Sequence, residues 1–244
     1  GGTLPVAAEH EPLRVSGELA LADLQVATPS GEDFALGWKR LELGIREVRI
    51  PGVLPGAPAG AHEPLHIDLE RLRLVAPSAA LTRTSAGLVL PAAGPPAPAG
   101  EPAPAAEAAA PPAAGPGPTL VLGRLDVEGG QVTVLDRTVK PFYRGKVSAI
   151  TLRARGLRYP ENVFEEFAFA AQMPGNAPVR LTGKRGAAGV EIEGTAEGLP
   201  LAQFNPYVTQ AAGYSIGGGT GTLGATVRLD AEHYESTSTL RFDQ

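Results

Sequence analysis

The chain contains no cysteine. Disulfide staples, thiolate metal sites and a cysteine nucleophile are excluded together. Aromatic residues are scarce at 5%, with a single tryptophan, Trp38. A core must therefore rest on Leu, Val and Ile rather than on large anchors. Basic residues are outnumbered, 21 Lys and Arg against 26 Asp and Glu, for a formal net charge of -5. Phosphate neutralisation needs a basic surface, so no nucleic acid is expected as a partner. No run of 18 apolar residues occurs, and no helical membrane span is expected within the chain. The opening GGTLPVAAEH lacks the basic and apolar regions of a signal peptide. Any export signal or membrane anchor is expected outside this chain.

What is present is 43% hydrophobic residues in 244 positions, enough for one large β domain or two small ones. A pattern of the form apolar-x-apolar-x-x-apolar-x-apolar recurs along the chain. Its copies are Leu19, Leu21, Leu24 and Val26; Leu43, Ile45, Val48 and Ile50; Ile67, Leu69, Leu72 and Leu74. Then come Leu120, Leu122, Leu125 and Val127; Leu152, Ala154, Leu157 and Tyr159; and a weaker Gly194, Ala196, Leu199 and Leu201. Alternation at period two puts one side of a strand on an apolar face. A slip of one residue would turn every later side chain over. A β-bulge or short turn at the two-residue skip restores the face and bends the strand. Repeated in the same sense, the device predicts a mainly β fold: a curved antiparallel sheet of repeated β units forming an open groove. An ordinary β-sandwich with bulged strands is the alternative.

Residues Pro91 to Pro118 are 10 Pro, 12 Ala, 4 Gly and 2 Glu. Such a stretch cannot bury apolar surface and is expected to be a disordered linker or loop. It divides the chain into a first β-groove segment, 1–90, and a second, 119–244. The strand signature on both sides favours one sheet, while two domains remain open. Pro51 to Pro64 reads as an irregular connection. One short helix is expected near 202–211, with Asn205 as cap and Pro206 at its first position. Phe204, Tyr207, Val208 and Ala211 would share its inner face.

Motifs for chemistry are weak. Gly219 to Gly224 matches a dinucleotide fingerprint by letters, but the alternation Leu223, Ala225, Val227, Leu229 that follows is a strand, not a phosphate-binding helix. Four scattered histidines form no metal motif, and Pro64 separates His62 from His66. Glu161, Glu165 and Glu166 read as solvated loop charges beside Phe164 and Phe167. Asp136-Arg137-Thr138-Val139-Lys140-Pro141-Phe142 reads as a charged turn in which Asp136 bonds nearby amides. Neither catalysis, nor a metal, nor a cofactor is expected.

Four segments, in order, carry a family resemblance. They are GWKRLELGIREVRIP with LHIDLERLRLVAPSAALTRTSAGLVL; LVLGRLDVEGGQVTVLDRTVKPF after the Pro/Ala insert; Ile150 to Tyr159; and Leu199 to Leu229, with Asn205-Pro206-Tyr207 before Gly213-Tyr214. Their order resembles the AsmA-like superfamily, in the branch catalogued as domain of unknown function 748. The resemblance implies a periplasmic, TamB-like protein of repeated β units, anchored in the inner membrane and moving phospholipid toward the outer membrane. The chain lacks the family's anchor and stops at Leu240-Arg241-Phe242-Asp243-Gln244 within an apparent strand, so a segment of a longer protein is expected. Alternation places Leu43, Ile45, Ile67, Leu69, Leu72, Leu122, Leu125, Leu152 and Leu157 on the groove lining. The rival expectation is a periplasmic scaffold or outer-membrane assembly factor that docks envelope proteins. An enzyme on a periplasmic polymer would need clustered carboxylates that the sequence does not offer.

Overall fold

A computed structural model describes residues 13–28, 34–50, 64–89, 117–187, 189–230 and 233–243. The Pro/Ala insert up to 116, most of the connection from 51, and the first twelve residues lie outside the described residues. Twelve strands are described: β1 (Leu13–Ala27), β2 (Phe34–Ile50), β3 (His66–Val75), β4 (Ser78–Thr84), β5 (Gly87–Val89), β6 (Thr119–Asp136), β7 (Tyr143–Tyr159), β8 (Glu166–Met173), β9 (Ala177–Gly186), β10 (Gly189–Pro200), β11 (Thr220–Leu229) and β12 (Tyr234–Asp243). One helix, α1 (Asn205–Ala212), follows a 3-10 turn at Leu201–Phe204. All twelve strands belong to one long, curved sheet. Both sides of the insert thus share it, and no second sheet faces it among the described residues.

From β6 to β12 each strand pairs antiparallel with the next. The expected antiparallel order fails at one place: β6 runs parallel to both β3 and β4. β3 and β4 act as one interrupted strand. β6 lies along one side of both, and β2 and β5 follow each other on the other side. A parallel step requires a crossover connection, and here the chain between β5 and β6 contains the Pro/Ala insert.

The skips in the apolar pattern fall at irregularities that neighbouring strands share. The β2–β3 register omits Arg46 and Glu70. The β3–β6 pairing steps over Glu70 and Gly123, and the β6–β7 pairing over Gly123 and Gly156. A second line of irregularities crosses the same strands; the skip of the first copy, between Leu21 and Leu24, falls on it at Asp23, whereas the second to fifth copies mark only the first line. This second line carries non-glycine residues in the left-handed region, Asp23 (φ 52), Ala76 (φ 48) and Ala149 (φ 50), with Gly129 (φ 67) between the last two. Across the β3–β4 break, the Ala76 amide donates to Glu128 O at 2.7 Å and the Gln131 amide to Pro77 O at 2.8 Å. The backbone ladder is therefore stitched through the break. These long strands, 18 residues in β6, bend in company.

Gly123 shows how tight the first line is, because a Cβ there would lie 2.8 Å from the Glu70 carbonyl oxygen. Gly224, by contrast, has nothing within 4 Å of that position. Gly123→Val is expected to destabilise by about 1–3 kcal/mol. Gly224→Ala should be neutral or stabilising, by up to about 1 kcal/mol. Urea unfolding of the two variants beside the parent chain measures both.

Candidate functional site

Residues opposite one another on paired strands put their side chains on the same face, so the registers define rows across the sheet. One row runs Leu19, Leu43, Leu72, Leu125, Ala154, Phe167 from β1 to β8. Beyond the first line of irregularities Ile45, Leu69, Leu122 and Leu157 are successive partners, followed by Val48, Ile67, Leu120 and Tyr159. On the other side lie Leu21, Leu41, Leu74, Val127, Leu152, Phe169 and Leu181. All nine expected lining residues stand in these four rows, on one face. Phe167 and Phe169 lie outside the expected nine, although their alternation with Ala168 and Ala170 marks them. Glycines on this face make room for large partners. The Phe167 ring covers Gly183, and a Leu181 methyl lies over Gly194.

This face is open. Among the described residues only Phe34, Leu122, Val139, Ala154, Ala171, Ala177 and Ala196 are buried hydrophobics. Four of the seven are alanines, so the large side chains stay partly in water. Leu122 is 6% exposed, yet Leu19 and Leu21 are 42% exposed and Leu223 41%. Among the described residues, apolar side chains line up without a layer to cover them, the arrangement that marks an interaction surface.

One end of the face carries a polar latch. Arg83, Asp136 and Tyr143 are partners in the last row. Asp136 is 2% exposed. Its Oδ1 accepts from the Thr138 amide at 2.8 Å and from Thr138 Oγ1 at 2.6 Å. Its Oδ2 accepts from Tyr207 of α1 at 3.0 Å and from Arg83 at 3.4 Å. The turn expected around Asp136 is thus present, and it also holds a helix from 71 residues further along the chain. The Tyr143 and Tyr207 rings pack at 5.3 Å. Asn205 departs from its expected role. Its backbone is already helical, and its side chain clamps Ile216, accepting from the amide at 2.7 Å and donating to the carbonyl at 2.9 Å. Ala211 is exposed rather than inward-facing.

The Thr138 hydroxyl, more than any other group, holds the Asp136 carboxyl below its usual range; the Thr138 amide, Tyr207 and Arg83 add to this, against the opposing effect of burial. Burial, then the hydrogen bond to Asp136, pushes Tyr207 up to about 12. The phenol therefore stays a donor throughout the physiological range.

The opposite face is charged. In register from β6 to β12 stand Arg124, Arg155, Glu166, Lys184, Glu191, Arg228 and Glu235. From Arg155 onward the signs alternate strictly. Ion pairs follow, with Arg155 to Glu166 at 3.3 Å and Arg228 to Glu191 at 2.8 Å. Glu166, read from sequence as a loop charge, opens β8 and belongs to this lattice.

No family model matches the chain, and a search of curated proteins finds no match.

Tyr207→Phe removes a hydrogen bond to a buried carboxylate and should cost about 1.5–3 kcal/mol of α1 docking, read as faster amide exchange in α1. The lowered Asp136 pKa fixes the sign with pH. Its contribution is present above the unfolded value near 3.9 and is lost as pH falls through the lower folded value. Asp136→Asn should abolish that acid dependence.

Proposed function

We propose that this chain is a segment of an AsmA-like, envelope-spanning protein that shelters phospholipid acyl chains against its apolar face for transport toward the outer membrane. The observation that carries the reading is the continuity of apolar rows over successive strands with no layer above them among the described residues. Acyl chains need no specific chemistry from the protein. Each methylene removed from water contributes about 0.8 kcal/mol, and a lining of Leu, Val and Ile offers similar contact at every step. Movement along such a surface is favoured because no deep trap interrupts it. Head groups would remain in water at the margin. The role is passive and non-enzymatic, and it belongs in the periplasm of an inner-membrane-anchored protein. Among the described residues no helix is long and apolar enough to cross a membrane.

The test is mass spectrometry of organic extracts from the chain purified without detergent. Stoichiometric phospholipid is expected. Leu72→Glu puts a charge among Leu43, Leu125 and the rows beside them. It should lower recovered lipid roughly tenfold, equivalent to losing about two methylene contacts, with strand content unchanged by circular dichroism. Clean extracts from repeated preparations of the parent chain would overturn the proposal and favour the scaffold reading.

A further inference from the structure

The charged face carries a cavity of about 580 Å³ over β6–β10. Its floor follows from one register row. Arg153 of β7 pairs with Ala168, Ala168 with Thr182, and Thr182 with Glu193 of β10. Two small side chains thus lie between two long ones of opposite charge. Elsewhere along the cavity Arg124 pairs with Asp126 at 2.6 Å and Arg155 with Glu166 at 3.3 Å, and Lys184 stands in register between Glu166 and Glu191. Among the described residues Arg153 and Glu193 make no ion pair. Arg153 is the register partner of Asp126 and also faces Glu128, but Asp126 is held by Arg124 at 2.6 Å and Glu128 by Arg73 at 3.0 Å. Glu193 faces Arg228, which is engaged by Glu191 at 2.8 Å. The slot therefore ends in an unspent cation on one side and an unspent anion on the other.

We infer that this slot binds a linear zwitterion, its carboxylate on Arg153 and its ammonium on Glu193, and that a short peptide in extended form is the ligand class. Length decides the class. Three strand intervals separate the backbones that carry the two ends, about 14 Å at about 4.8 Å each, and side chains standing upright from the sheet keep that separation. A charge-assisted hydrogen bond of about 2.8 Å at either end leaves about 9 Å for the ligand. An extended tripeptide spans at most about 10 Å. A single amino acid is too short to reach both ends. Ala168 and Thr182 leave the height for a backbone to lie over them, and the Thr182 hydroxyl offers it a polar contact. The site is independent of the acyl-chain reading, because it occupies the other face of the sheet.

The experiment is an amide chemical-shift titration of the whole chain with trialanine, N-acetyl-trialanine and trialanine amide. Saturable shifts centred on Ala168 and Thr182 are expected for trialanine, with affinity about ten- to a hundredfold lower when either end is capped. Arg153→Gln should bind free and amidated peptide equally while still rejecting the acetylated one. Glu193→Gln should do the reverse. Both residues are exposed, so the variants keep the fold, and their spectra away from the slot check this. Absence of saturable shifts at the slot, equal binding of capped and free peptide by the parent chain, or variants that keep the parent's preferences would each overturn the inference.

Discussion

Preservation of side-chain facing through bent strands is the constraint on which the rest of the structure depends. Because side chains alternate, one unpaired residue in one strand would turn all later side chains of that strand over. Here the unpaired residues come side by side. Arg46 is set against Glu70, and Gly123 against Gly156, so that pairs on both sides of the line remain apolar with apolar. Leu43 meets Leu72 before the line, and Val48 meets Ile67 after it. The bend is thus distributed over several strands without exchanging the two faces. A sheet whose strands bent at unrelated positions would mix leucines with arginines on each side.

The same constraint explains what could be read in advance. The two-residue skip is a one-strand property, visible wherever Leu, Val or Ile flank it, and the shared line at Arg46, Glu70, Gly123 and Gly156 follows from it. The apolar pattern made the second line legible only in β1, where the skip between Leu21 and Leu24 holds Asp23; in the strands beyond, Ala76 and Ala149 are not of a type that announces a left-handed backbone. Gly129 and Gly130 mark it again in β6. The parallel pairing of β6 with β3 and β4 was likewise out of reach. It joins residues such as Leu69 and Leu122 across the insert, and alternation says which face a strand presents, not which strand lies beside it. Asn205 misled for a local reason. Its side chain had two possible backbone partners, the helix start and the Ile216 peptide, and tertiary geometry selected the second.

The two faces contribute unequally to stability. Ion pairs such as Arg155 with Glu166 are more than half exposed on both sides, a class worth about 0–1 kcal/mol each. Their alternation specifies register and keeps the outer face soluble more than it holds the sheet together. The apolar face has a larger reserve, about 25 cal/mol for each Å² removed from water, but much of it is unrealised while leucines remain part-exposed. An occupant of that face would realise it, and by mass action would stabilise the folded sheet as its concentration exceeded its dissociation constant. Openness is therefore a stability deficit that a ligand can remove.

The apolar rows also change character along the sheet. From β1 to β7 nearly every position on the face is Leu, Val or Ile. At β12 the partners of Val227 and Ala225 are Ser236 and Ser238, so the apolar rows break at mid-strand; Tyr234 opposite Leu229 continues them at one end, and Leu240 and Phe242 at the other. The latter two pair with Leu223 and Gly221, at the end of β11 that follows α1. The apolar lining is thus interrupted at mid-strand toward β12, with a strip kept on the helix side. At the same end, Asp136 of β6 holds Tyr207 of α1. A helix fixed to the face at β6 and arising from the β10–β11 connection bounds that strip at its margin. The sheet is consequently not uniform along its length: it is broad and apolar around β2–β7, then interrupted, more polar and bordered by α1 as β12 is approached.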